Sequence, residues 1–210
     1  MGVPKFEGIE FDAYMTFNGS YCYTKEETIY SNTLPQEDVK ILLRNAKAMD
    51  RPFSVALKSR VLTEGKNKQT IEYYLKNNFP LEIIDDFEVA IADESVYQMM
   101  INCRAEEYDT LLQDVNGAKV TAWSDYAVDV IPANGSKGVA VEKILEHYGI
   151  HRSQAMAFGD SGNDIEMLQT VGCGVAMGNA LDKVKAIADD VCGPVTEDGI
   201  YHYCVEHGLI

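Results

Sequence analysis

The sequence predicts an α/β protein, a Rossmann-like doubly wound parallel sheet together with a smaller α+β module. Three observations carry that expectation. Beyond residue 135, short apolar segments alternate strictly with amphipathic ones, the grammar of a parallel sheet flanked by helices. Between residues 22 and 130 the grammar differs, because strand-like and helical segments mix with connections that suit antiparallel pairing. At 157–168, AFGDSGNDIEML then sets two carboxylates and an amide in a glycine-containing turn between an apolar run and a helical pattern.

Along the chain, residues 11–17 read as a short strand ending at the turn dipeptide Asn18-Gly19, and residues 21–23 resume it, so a hairpin or crossover is expected. In TLPQEDVKILLRNAKAMD, Pro35 stands near a helix start, acids occupy the first turn, and Val39, Leu42, Leu43 and Ala46 recur at helical spacing. Residues 53–57 form a strand pattern, 68–77 a helical one, and 97–103 a strand with Met99, Ile101 and Cys103 on one face. A helix over 106–115 precedes strands over 119–123 and 126–131 around Ser124-Asp125. After Pro132 the expected order is helix 138–147, strand 154–158, helix 164–170, strand 174–177, helix 181–188, strand 190–192 and helix 200–207. The expected domains are a partial core of residues 1–21 and 131–210 and an α+β module of residues 22–130. Tyr73, Tyr74 and Trp123 read more simply as aromatics of that module's core than as substrate contacts.

Composition narrows the partners. A 46% hydrophobic content suits a chain that buries a core. Eighteen Lys and Arg against 33 Asp and Glu give a formal charge of -15, so nucleic acid and anionic membrane surfaces are not expected partners. Five scattered cysteines without a CxxC pair read as reduced thiols and point to a cytoplasmic setting. The start, MGVPKFEGIEFD, lacks the basic and apolar regions of a signal peptide, and no run approaches the ~18 apolar residues of a membrane span. The four histidines show no metal-ligand spacing.

Ligands of a doubly wound sheet sit beyond the carboxyl ends of its strands, where Asp160 falls just past the 154–158 strand. Mg²⁺ needs few protein carboxylates, because waters and phosphate oxygens complete its shell. Asn163 and Asp164 follow at the start of a helix, where free N–H groups and the helix dipole favour an anion. Lys137, opening a helix after a strand and loop, suits phosphate charge in the same crevice. Each residue also has a plain structural reading: the acids turn and cap a helix, and Lys137 is a solvated surface lysine. Because Lys137 precedes Asp160, the order opposes a receiver domain, whose lysine follows its aspartate.

SKGVAVEKILEHYGI, AMAFGDSGNDIEML, GCGVAMGNALDKVKAIADDV and EDGIYHYC, in that order and spacing, resemble the C-terminal half of Cof-type phosphatases of the haloacid dehalogenase-like hydrolase superfamily, class IIB. The middle block resembles their mobile C2-type cap, and DAYMTFNGSYCY the segment leading into it. The resemblance implies a Mg²⁺-dependent hydrolase of small phosphorylated metabolites. It assigns Lys137 to steadying a phosphoaspartyl intermediate, Asp160 to catalysis and Mg²⁺, Asp164 to the same metal site, and Asn163 with Lys137 to the phosphate-bearing substrate. Gly178-Asn179-Ala180 matches a further family signature, although Asn179 equally suits a helix cap.

Such phosphatases attack with the first aspartate of a D-x-D-x-T motif, whose second acid serves as general acid and base. No such motif stands in these 210 residues. The nearest string, FDAYMT, keeps Asp12 and Thr16 but has Tyr14 where the second acid belongs, so Asp12 is expected to be structural and no nucleophile is assigned. The expectation is therefore a phosphatase by family that is impaired or inactive as this chain. A phospho-ligand-binding or interaction module without catalysis is the alternative. A parallel sheet lacking its opening strands has an open edge, which a second copy or the N-terminal segment is expected to cover.

Overall fold

The computed structural model describes residues 10–64, 68, 71–72, 81–122 and 126–210. A small antiparallel sheet opens the described chain, with order β1 (Tyr14–Thr16), β2 (Tyr21–Tyr23), β3 (Thr28–Ser31). The strand expected over 11–17 stops at Thr16, because Phe17, Asn18 and Gly19 have φ of 53°, 52° and 92°. Three successive left-handed residues cannot continue a strand. β3 was not anticipated: its residues are exposed or half-buried, so no apolar alternation marks them.

The middle of the chain forms a six-stranded sheet. Helix α1 (Gln36–Ala48) starts directly after Pro35, has Glu37 and Asp38 in its first turn, and buries Val39, Leu42, Leu43 and Ala46. The strands are β4 (Phe53–Leu57), β5 (Val61–Thr63), β6 (Leu81–Ile83), β7 (Val96–Ile101), β8 (Ala118–Ala122) and β9 (Val128–Pro132), in the order β6-β5-β4-β7-β9-β8. Only the β5–β6 pair is parallel. The buried face of α1 packs on Phe53, Val55, Leu57, Met99 and Ile101, with Val128 and Val130 in the same cluster. Cys103 joins it, as the predicted face of the 97–103 strand requires. Two short helices, α2 (Phe87–Ala90) and α3 (Tyr108–Leu111), lie along the sheet's connections. The helix expected over 106–115 is reduced to a 3-10 turn, Ala105–Glu107, followed by α3, and Asp114 at φ 65° lies beyond it. Of the helix expected over 68–77, Lys68, Ile71 and Glu72 are helical; the rest, with Tyr73, Tyr74 and Trp123, lies outside the described residues. Asp38, 5% exposed, accepts the N–H groups of Asn116 at 3.3 Å and Gly117 at 2.6 Å, which sets the start of β8.

The last third supplies a parallel sheet, β10 (Met156–Gly159), β11 (Cys173–Ala176) and β12 (Asp190–Val191), in that order. Its helices are α4 (Lys137–Tyr148), α5 (Ile165–Thr170), α6 (Asp182–Lys185) and α7 (Gly199–Glu206). Leu168, Val175, Ala176, Val184 and Tyr203 form its core. Ser136 caps α4 by accepting the Val139 N–H at 3.1 Å, and Gly149 at φ 64° ends it. The helix expected over 181–188 is a single turn. The predicted α/β architecture is present: a parallel sheet beside a mostly antiparallel α+β unit. β2 and β9 run across positions 21/22 and 130/131, where the sequence suggested domain limits. Among the described residues no strand lies on the outer edge of β10.

Candidate active site

β10 ends at Gly159, so Asp160 stands just beyond its carboxyl end, as the sequence predicts. A Cβ on Gly159 would lie 2.6 Å from the Asp164 Cβ, and this close approach lets the turn fold back on itself. Asp164 Oδ2 accepts the N–H groups of Asp160 and Ser161, each at 3.0 Å. Its Oδ1 accepts Lys137 Nζ at 2.6 Å, joining the first residue of α4 to the turn beyond β10. The side chains of Lys137 and Asp164 are 25% and 8% exposed. Burial pushes the Asp164 carboxyl up, but the Lys137 ammonium and the Ser161 and Asp160 N–H groups together outweigh it and hold the group below the usual carboxylate range.

Asp160 is held differently. Its Oδ1 accepts the Ser161 hydroxyl at 3.0 Å and its Oδ2 the Asn179 amide at 3.1 Å. These neutral donors steady the carboxylate without cancelling its charge. Asn179 Oδ1 in turn accepts the Val195 N–H at 3.0 Å. Asn179 does not cap α6, which starts after Leu181; its amide instead braces Asp160. Among the described residues no group of three or more His, Cys, Asp or Glu side chains is poised to hold a metal. A hard cation with waters and a phosphate would fit Asp160, since Mg²⁺ takes only one or two protein carboxylates.

Asn163 donates to Asn18 Oδ1 at 2.9 Å, and Asn18 donates onward to Gln98 Oε1 and Asp129 Oδ2, each at 2.9 Å. Asn163 Oδ1 is buried without a hydrogen-bond partner among the described residues. A cavity of about 160 Å³ opens here, lined by Asn18, Lys119, Thr121, Lys137, Gly162 and Asn163 among others. Sequence reasoning missed Asn18, taking it for a turn residue, and Lys183, whose Nζ lies 3.0 Å from where a Gly162 Cβ would be. Neither carries a local signal, since both meet the turn through contacts distant in sequence. Asp12 is exposed and its carbonyl accepts the Tyr148 hydroxyl at 3.0 Å, while Tyr14 stacks on Tyr23 with ring centroids 5.2 Å apart. Those contacts lie apart from the ones that join Lys137, Asp160, Asn163 and Asp164.

Residues 3–204 match the family described as haloacid dehalogenase-like hydrolase. The chain belongs to that family. YkrA of Bacillus subtilis (strain 168), a phosphatase by name, is 30% identical over 210 residues that span 99% of this chain and 80% of YkrA. The 5-amino-6-(5-phospho-D-ribitylamino)uracil phosphatase YitU of the same organism is 28% identical over 209 residues, 92% of this chain and 75% of its own length. Among solved structures, the HAD subclass IIB sugar phosphatase BT4131 superposes with a TM-score of 0.86 at 33% identity, over 95% of this chain and 76% of that one. The resemblance to the Cof-type, class IIB branch of haloacid dehalogenase-like hydrolases is thereby confirmed.

Proposed function

We propose that these residues form the metal- and phosphate-facing part of a Mg²⁺-dependent phosphatase of small phosphorylated metabolites. The observation that carries the reading is the meeting of Lys137, Asp160 and Asp164 beyond the carboxyl end of β10. Asp160 is assigned to Mg²⁺, which when bound would supply charge to offset the phosphoryl oxygens. The sequence pattern also put Asp164 forward as a ligand. We assign it instead to holding Lys137, because both of its oxygens are already engaged by an ammonium and two N–H groups. Lys137 presents positive charge to the phosphoryl group, and Asn163 adds a polar contact to the substrate. The named activities of YitU and BT4131, on a phosphorylated ribityl compound and on sugar phosphates, support a small phosphorylated metabolite as substrate class.

Residues 1–21 with 131–210 are proposed as the core and 22–130 as the cap that closes on the substrate and excludes water. Attack on phosphorus needs an aspartate in line with the leaving group. Asp12, the nearest sequence candidate, makes its contacts elsewhere. The 210 residues by themselves are therefore proposed to bind rather than turn over. The outer edge of β10 is proposed to be covered in solution by the N-terminal segment or a second copy, and light scattering separates the two. Cytoplasmic residence is proposed on the reduced thiols alone.

The deciding assay is hydrolysis of p-nitrophenyl phosphate by the purified chain, with and without Mg²⁺, alongside Asp160→Asn and Asp12→Asn. No turnover and at most millimolar Mg²⁺ affinity by calorimetry are expected. Mg²⁺-dependent turnover lost in Asp12→Asn would make Asp12 an unorthodox nucleophile and overturn the inactive reading. Tight Mg²⁺ binding unaffected by Asp160→Asn would remove Asp160 from the metal site.

A further inference from the structure

Asn18 joins three parts of the molecule through one amide. It occupies a left-handed position, φ 52° and ψ 32°, between Phe17 at φ 53° and Gly19 at φ 92°. Asn tolerates that region better than most residues, but an adjoining left-handed phenylalanine is costly and persists only where packing over-determines it. Packing does so on both sides. The buried Phe17 ring stacks on Tyr97 of β7 at 5.2 Å, and a Cβ on Gly19 would come 2.3 Å from the carbonyl oxygen of Ser136, the residue that caps α4 before Lys137. The turn is thus wedged between the six-stranded sheet and the start of the helix that carries the lysine.

The hydrogen bonds of Asn18 follow a fixed direction. Asp129 on β9 and Gln98 on β7 are 7% and 9% exposed. Asp129 Oδ2 accepts one hydrogen of the Asn18 NH₂ group at 2.9 Å. Gln98 Oε1 takes its other hydrogen. Asn18 Oδ1 is then left to face Asn163, which must present its own NH₂ group in return. The buried Asp129 thereby sets, through Asn18, which way the Asn163 amide lies. What remains to Asn163 for a ligand is its second N–H and its Oδ1, which has no partner among the described residues.

We infer that Asn18 is a positioning residue that fixes the amide orientation of Asn163 from the six-stranded sheet, so that this side chain helps align the turn beyond β10 with that sheet. The inference rests on the phosphate-site reading given above and adds a residue to it. Displacing the turn from the sheet breaks at least one of the bonds at Asn18, so a ligand that engages Asn163 also registers the sheet's position.

The test uses the ¹⁵N-labelled full chain and the side-chain NH₂ signals of Asn163, assigned by their loss in Asn163→Asp. In Asn18→Ala the bonded Asn163 proton is expected to shift and to exchange about fivefold faster, the loss of one neutral hydrogen bond. Asn18→Asp alone sets two carboxylates against each other and is expected to disturb the same signal. The paired exchange Asn18→Asp with Asp129→Asn restores an acceptor facing Asn163 and a donor facing position 18, and is expected to recover it. A folded Asn18→Ala protein with an unchanged Asn163 signal overturns the inference. So does a paired exchange that recovers neither fold nor signal, and this arm decides even when Asn18→Ala does not fold. Inorganic phosphate with Mg²⁺, titrated into the same wild-type sample, should move the backbone signals of Lys137 and Asp160. A silent titration overturns the phosphate site, and with it the role given to Asn18, whereas an Asn163 signal indifferent to position 18 overturns the relay alone.

Discussion

Replacing Asp164 by alanine removes one partner of a largely buried ion pair and both acceptor contacts of the turn at once. Lys137 Nζ loses a carboxylate at 2.6 Å, and the N–H groups of Asp160 and Ser161 lose an acceptor at 3.0 Å. Breaking a buried pair costs about 3–5 kcal/mol where the remaining charge is fully enclosed. Lys137 is a quarter exposed and regains some water, which lowers that part to about 2 kcal/mol. The two N–H groups add about 1 kcal/mol. A loss of about 3 kcal/mol is expected, so urea unfolding should show a midpoint lower by about 1–2 M at an ordinary slope. Asp164→Asn, which keeps an acceptor for the turn but no charge, should cost about half as much. Lys137→Met should cost less than Asp164→Ala, because the carboxylate retains its two N–H donors. The double mutant should show a coupling of about 1 kcal/mol or more. An Asp164→Ala protein within about 0.5 kcal/mol of wild type, the ordinary surface range, would refute the claim that this carboxylate organises the turn.

Gly19→Ala forces a side chain into a left-handed position and against the Ser136 carbonyl 2.3 Å away, so a loss of about 2 kcal/mol and a Tm lower by about 4–8 °C are expected in calorimetry. Ser136→Ala removes the acceptor for the Val139 N–H at the start of α4 and should cost about 1 kcal/mol in the same measurement. Glu107 is held below the ordinary carboxylate range by the Arg104 backbone N–H and then the Arg51 guanidinium. A depressed folded-state pKa stabilises above the unfolded-state value and loses that contribution as pH falls through the folded value. Acid titration of stability should therefore be shallower in Glu107→Gln than in wild type, and identical slopes would remove Glu107 from the acid response.

Much of this fold is legible locally because its signals are local. The α1 face repeats Val39, Leu42, Leu43 and Ala46 every three to four residues, and all four are buried in the structure. β4, β7 and β11 are buried apolar runs, and the sequence shows them as such. The misses have the opposite character. β3 and β6 are half-buried or exposed segments of four and three residues whose pairing comes from neighbouring strands, and β5, also unexpected, is buried but only three residues long, too short to show a period. Helices expected over 106–115 and 181–188 shorten because periodicity marks an apolar face but not where turns such as that at Asp114 interrupt it.

The site divides along the same line. Asp160, Asn163 and Asp164 lie within five residues, and a turn between strand and helix brings such neighbours together whatever the rest of the chain does. By itself the sequence determined the α/β class, the place of that turn at a strand's carboxyl end, and the family through motifs in a fixed order. Only the tertiary structure decided which partner each group took: Lys137 meets Asp164 across 27 residues, Asn179 meets Asp160 across 19, and Asn18 reaches Gln98, Asp129 and Asn163 across 80, 111 and 145. A hydrogen bond reaches only about 3 Å, and such distances between sequence-remote groups are set by how sheets and helices pack, which no local pattern of residues encodes.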